Sequence, residues 1–175
     1  MAVTLFGCVF DKGRKNIPSS TYEPQRVQAL NQLKNEINNL YGFREGVPRI
    51  NLGPCGPFAK TFREQWNSRF KVKVNIAFVM VRDAGGESCA HVVVKLPDGT
   101  YFDGGNGVIQ EKSLLLQFPG SRVEVMNFFD LQILEKNSYG LKRNYPECPN
   151  YSPAATTMLI EKCLDSLHED PEHQP

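Results

Sequence analysis

The sequence predicts an α+β domain, and three observations predict it. Apolar residues recur at helical spacing over 22–41, a cysteine opens a second helix-patterned segment over 55–70, and β-branched runs broken by turns fill 71–129. The expected arrangement is N-terminal helices, with the cysteine-bearing helix packed on an antiparallel sheet of about four to five strands. Residues 1–168 are expected to form one domain and 169–175 a disordered polar tail.

Taken in order, Met1–Phe10 reads as a buried strand and 11–20 as loop. Tyr22-Glu23-Pro24 opens a helix, with proline tolerated in its first turn. Val27, Leu30, Leu33, Ile37, Leu40 and Tyr41 form its apolar stripe, and Gly42 closes it. Gly46, Pro48, Gly53 and Pro54 make 44–54 irregular. Phe58, Ala59, Phe62, Trp66 and Phe70 then share one helix face, which reads as core. Lys71–Arg82 is rich in β-branched residues and reads as a strand. Ser88–Leu96 and Thr100–Asp103 form a hairpin across Pro97-Asp98-Gly99, followed by a Gly104–Gly107 loop. A short helix near 110–117, a strand over 121–129, a helical turn over Asp130–Asn137 and a proline-rich connector over 145–153 come next. The last helix spans Pro153–Leu167, with Ala155, Met158, Leu159, Cys163 and Leu167 on one face.

Composition excludes several classes. Twenty basic against nineteen acidic residues give a net charge of +1, so no bulk attraction draws the chain to nucleic acid or anionic lipid. No apolar stretch reaches the length of about 18 residues that a membrane span needs. The opening segment lacks a basic leader. Five cysteines at 8, 55, 89, 148 and 163 are odd in number and widely spaced, which favours neither a disulfide framework nor a zinc ribbon. The expected compartment is reducing: the cytoplasm, or the destination of a leaderless secreted effector.

Three residues carry the candidate chemistry. Cys55 at a helix start feels the positive end of the helix dipole, which favours thiolate, and backbone N–H groups there can hold an oxyanion. Gly56 follows it, and Asn51 offers the nearest side-chain amide in sequence. A three-residue hairpin loop with Gly99 left-handed sets Leu96 opposite Thr100 and Val94 opposite Phe102, which brings His91 and Asp103 to one sheet face. A two-residue loop would throw Asp103 among the apolar residues of the other face, at a cost of several kcal/mol. The expected roles are Cys55 as nucleophile, His91 as base and then acid, and Asp103 as the acceptor that fixes the imidazole. Cys89 is expected on the face of His91, lining the cleft or packing. A four-ligand metal site of Cys55, Cys89, His91 and Asp103 has poor zinc spacing, so neither metal nor cofactor is implied. Cys8, Cys148 and Cys163 read as structural.

The segments Cys55-Gly-Pro-Phe58-Ala59 and His91-Val-Val-Val-Lys-Leu-Pro-Asp98-Gly99-Thr-Tyr101-Phe-Asp103 resemble papain-like cysteine hydrolases. They are most similar to the NlpC-type amidases, in which the third catalytic residue also follows the histidine by twelve positions. The resemblance covers residues 53–104. It departs where Pro54 precedes the cysteine, Gly56-Pro57 follow it, and Asp103 stands third. A third-position Asp is similar to transglutaminase-core and arylamine-acetyltransferase relatives. The resemblance implies a papain-like fold and a thioester-forming hydrolase acting on a protein or peptide-like amide. Two alternatives remain open: a glutamine deamidase or transglutaminase-type effector, and a catalytically silent binding or inhibitor protein on the same scaffold.

Overall fold

A row of apolar residues on the first helix seeds the core. In the computed structural model, which describes residues 22–125 and 145–168, helix α1 spans Tyr22–Tyr41. Leu30, Leu33, Ile37 and Tyr41 are buried along one side of it. Gly42 closes the helix at φ +74°, and its N–H returns to the Asn38 carbonyl at 2.8 Å. Leu40, expected on the stripe, is 41% exposed and lies off the buried side, whereas Arg26 is buried and bonds Asp98 at 2.6 Å. The expected strand Met1–Phe10, the turn over Asp130–Asn137, Cys8 and the tail 169–175 lie outside the described residues.

The loop 44–54 contains a small hairpin, β1 (Phe43–Arg44) with β2 (Val47–Pro48), and a 3-10 turn over Arg49–Asn51. Helix α2, Cys55–Arg69, buries Phe58, Ala59, Phe62 and Trp66, while Phe70 is already extended. The next strand begins at Asn75, four residues later than the pattern suggests. Side chains of α2 capture the backbone between: Trp66 Nε1 bonds the Val72 carbonyl at 2.9 Å, and the Asn67 carboxamide takes both polar groups of Val74 at 2.9 and 3.1 Å. Those backbone groups are therefore satisfied without a sheet partner.

The described strands form an antiparallel sheet of five, in the order β6-β5-β4-β3-β7. They are β3 (Asn75–Asp83), β4 (Gly86–Lys95), β5 (Tyr101–Asp103), β6 (Gly107–Ile109) and β7 (Arg122–Val125). Strand β6 falls partly in what reads as a glycine loop, because the turn needs only residues 104–106. One sheet face, with Ile76, Phe78, Val94, Leu96 and Phe102, packs on α1, α2 and α4 (Pro153–His168). The other face, with Ala77, Val79, Val93 and Tyr101, packs on Leu114 of α3 (Glu111–Gln117).

Helix α4 is turned relative to the expected face. Thr156, Ile160, Leu164 and Leu167 are buried, and Met158 is 69% exposed. Tyr41 Oη, hydrogen-bonded to Thr156 Oγ1 at 2.6 Å and to the Ser152 carbonyl at 3.0 Å, fixes that rotation. No helix among the described residues is long and apolar enough to cross a membrane.

Phe102 is fully buried, with ring centroids 4.9 Å from Phe62 and 6.0 Å from Phe58. Phe102→Ala is expected to cost about 3–5 kcal/mol in urea unfolding. Met158→Ala should stay within about 0.5 kcal/mol of wild type.

Candidate active site

The β4–β5 hairpin decides which residues can meet. Its loop has three residues: Leu96 N–H bonds the Thr100 carbonyl at 2.9 Å, Gly99 N–H bonds the Leu96 carbonyl at 3.1 Å, and Gly99 sits at φ +89°. Asp98 Oδ1 accepts from the Thr100 N–H and hydroxyl at 2.9 and 2.7 Å, while Arg26 holds its other oxygen. Val94 accordingly faces Phe102 and Lys95 faces Tyr101. Phe102 turns into the helix-side core, and Asp103 turns to the face that carries His91.

There His91 Nε2 lies 2.8 Å from Asp103 Oδ2, with the two side chains 2% and 0% exposed. Asp103 accepts three further hydrogen bonds: Gly105 N–H (2.8 Å) and Asn106 N–H (3.1 Å) on Oδ1, and Asn106 Nδ2 (3.0 Å) on Oδ2. Burial pushes its carboxyl up, but the His91 and backbone donors outweigh that and hold it below the usual carboxylate range. The imidazole stacks on Phe118, centroids 5.5 Å apart at 22°.

Cys55 comes to this pair from the other side of the sheet. The β4–β5 register pairs Val94 with Phe102 and Lys95 with Tyr101, and upstream of them the Val92 N–H lies near enough to Cys55 to favour its charged form. The thiol's hydrogen bond goes to the Gly53 carbonyl at 4.0 Å, and the His91 ring is close enough to favour the charged form of the sulfur. Since Asp103 occupies Nε2, the nitrogen facing sulfur is Nδ1, the reverse of the assignment in the serine triad. Burial pushes the Cys55 thiol up. The His91 charge and hydrogen bond, with the Val92 N–H, overcome this and bring it below its ordinary value. Burial likewise pushes His91 down, but the Cys55 charge and the Asp103 hydrogen bond raise it to about 10. Both shifts run toward the charged forms, thiolate for Cys55 and imidazolium for His91.

Cys55 is the first residue of α2, after a Pro54 cap that makes no side-chain hydrogen bond. The first helical bond is Phe58 N–H to the Pro54 carbonyl at 2.9 Å, so the Cys55 and Gly56 N–H groups have no intrahelical acceptor. A side chain at Gly56 would meet nothing within 4 Å, whereas one at Gly53 would lie 2.9 Å from the Tyr145 ring. Asn51 packs its carboxamide on Gly105, where a Cβ would come within 2.8 Å of both amide atoms. It backs the turn that holds Asp103.

Cys89 does not share the face of His91. Val79 pairs with His91 and Met80 with Cys89, so Ala90 is an extra residue in a β-bulge, and the alternation reverses across it. Cys89 packs with Met80 on the helix side, its thiol on the His91 carbonyl at 3.3 Å, and burial followed by the Cys55 charge pushes it up to about 12. Cys148 is buried and Cys163 packs against the core, as their structural reading expects. No group of three or more His, Cys, Asp or Glu among the described residues is placed to hold a metal ion. Sequence reasoning missed Tyr145 over the cysteine turn and Phe118 on the imidazole. Tyr145 carried a weak signal, an aromatic opening a proline-rich connector, and Phe118 carried none.

Comparison with protein-family models, curated proteins and solved structures finds no match to this chain.

Iodoacetamide should label Cys55 well below pH 8.5, ahead of Cys89 and Cys163, and His91→Ala should return Cys55 to an ordinary thiol profile by peptide mass mapping. Asp103 stabilises the fold above its unfolded pKa near 3.8 and loses that contribution as pH falls through its lower folded value. Asp103→Asn should therefore flatten the acid limb of the urea midpoint against pH below about pH 4.

Proposed function

We propose that this chain is a cysteine-dependent acyl-transfer hydrolase of the peptidase, amidase or isopeptidase type. The observation that carries the reading is the buried 2.8 Å His91–Asp103 hydrogen bond, whose remaining imidazole nitrogen meets a cysteine at a helix start. The papain-like resemblance of the Cys55–Ala59 and His91–Asp103 segments supports the same chemistry, and with it a protein or peptide-like amide as substrate.

The Cys55 thiolate attacks the amide carbonyl carbon, and the C=O electron pair moves to oxygen. The Cys55 and Gly56 N–H groups stabilise that oxyanion, whereas Asn51, packed on Gly105, serves the Asp103 turn instead. His91 Nδ1–H gives its proton to the leaving amine as the C–N bond breaks, which leaves a thioester and a neutral imidazole. His91 then takes a proton from water, whose oxygen attacks the thioester and expels the thiolate. Asp103 keeps the ring oriented throughout and stabilises its charged form. An amine entering in place of water would give transamidation, and a glutamine side chain as the amide would give deamidation. The free thiols at 55, 89, 148 and 163 suit a reducing location such as the cytoplasm. A silent binding protein is the competing reading, and the cover of Phe118 over a nearly buried His91 is the observation that favours it.

Incubation with p-nitrophenyl acetate should place an acetyl thioester on Cys55, seen as a mass increase and removed by hydroxylamine. Cys55→Ala should carry none, and His91→Ala should slow acylation by on the order of 10²-fold or more. Acetylation indifferent to both substitutions would sink the enzyme reading.

A further inference from the structure

The triad reading leaves open what holds Asp103 still. Its carboxylate belongs to a turn that includes Gly104 and Gly105, and a free turn of this kind would let the carboxylate wander from His91. The turn is pinned from outside by α1. Asn38 Nδ2 donates to the Gly105 carbonyl at 2.8 Å, while the Gly105 N–H donates to Asp103 Oδ1 at 2.8 Å. Asp103 Oδ2 in turn meets His91 Nε2 at 2.8 Å. The Gly105 residue is thus gripped at its carbonyl by α1 and at its amide by the triad carboxylate. Pro48 and Asn51 close its remaining side, for a Cβ at Gly105 would lie 2.5 Å from Pro48 Cβ.

We propose that Asn38 is a positioning residue of the active site: through Gly105 it fixes the Asp103 carboxylate against His91 without touching substrate. The inference rests on the thiolate–imidazolium reading above. Asn38 is suited to the task because a carboxamide donates to a carbonyl without adding charge, whereas an aspartate would face the Gly105 oxygen with a second acceptor. Asn31 grips the same segment three residues further on, its Oδ1 accepting the Val108 N–H at 3.1 Å, so α1 holds β6 as well as the turn. Besides Asp103, the titratable side chains that face the Cys55–His91 pair among the described residues are Cys89 and Tyr145. Neither contacts Asn38 in a hydrogen bond.

The test is a double-mutant cycle read by the pH profile of Cys55 alkylation with iodoacetamide, with thermal unfolding as the fold control. Asn38→Ala should raise the midpoint by about one pH unit and slow labelling at pH 6 about tenfold, with the protein still folded. In an Asp103→Asn background the same change should have no further effect, because the group through which Asn38 acts is gone. Asn38→Asp, of the same shape, supplies the second variant and should shift the profile the same way even if the alanine variant unfolds. A wild-type profile in the folded Asn38 variants, or an equal shift in both backgrounds, overturns the proposal while leaving the triad reading intact. A profile that His91→Ala itself does not move overturns both.

Discussion

Register in the β4–β5 hairpin is the constraint on which fold and site both depend. A strand presents alternate residues to opposite faces, so a slip of one residue would exchange Phe102 and Asp103 between the apolar core and the imidazole. The structure guards against that slip three times. Gly99 takes the left-handed conformation the three-residue loop requires, Asp98 folds back on Thr100, and Arg26 reaches from α1 to clamp Asp98 at 2.6 Å. Arg26 is itself nearly buried, so the clamp operates out of water, where a charge-assisted bond is stronger and its loss more costly. A contact in the first turns of α1 thereby sets the parity of a strand some seventy residues later.

The buried pair of His91 and Asp103 would be a liability if it stood alone. Taking an imidazolium and a carboxylate out of water costs several kcal/mol per ion unless each finds partners. Asp103 has four donors, three of them from its own turn and one from His91. His91 has the carboxylate at Nε2, and the nearby Cys55 favours its charged form in addition. Cys55 and Asp103 each favour the charged form of His91, and His91 favours theirs, which is why removing His91 should alter the titration of both.

Much of this was legible in the sequence for a physical reason: the hairpin is local. Pro97-Asp98-Gly99 encodes its own turn type, the β-branched residues encode the pleat, and burial and register point the same way. The expected meeting of His91 and Asp103 required no knowledge of distant contacts. What the sequence did not encode locally was read less well. The bulge at Ala90 bears no glycine or proline, and it reverses the side of Cys89 through the pairing of β4 with β3 alone. The rotation of α4 depends on Tyr41, more than a hundred residues away, and the delayed start of β3 depends on Trp66 and Asn67 capturing the backbone that precedes it. Phe118 and Tyr145 reach the site from segments with no pattern of their own.

Core packing also places the nucleophile. Phe58 is one helical turn after Cys55, and Phe102 is the residue before Asp103; their rings lie 6.0 Å apart, with Phe62 against Phe102 at 4.9 Å. The same aromatic contact therefore fixes the height of α2 over the sheet and the position of the strand end that carries the carboxylate. Gly104 extends this coupling, since a Cβ there would fall 2.8 Å from Phe58, so the backbone of the Asp103 turn rests directly on the α2 ring. Cys55 and Asp103, though 48 positions apart in sequence, are each within three residues of one packed interface. A close-packed interior transmits displacement instead of absorbing it. A change in volume at Phe58 or Phe102 would consequently move the thiol relative to the imidazole as well as loosen the core, and the geometry of the site is in this sense a property of the aromatic packing beneath it.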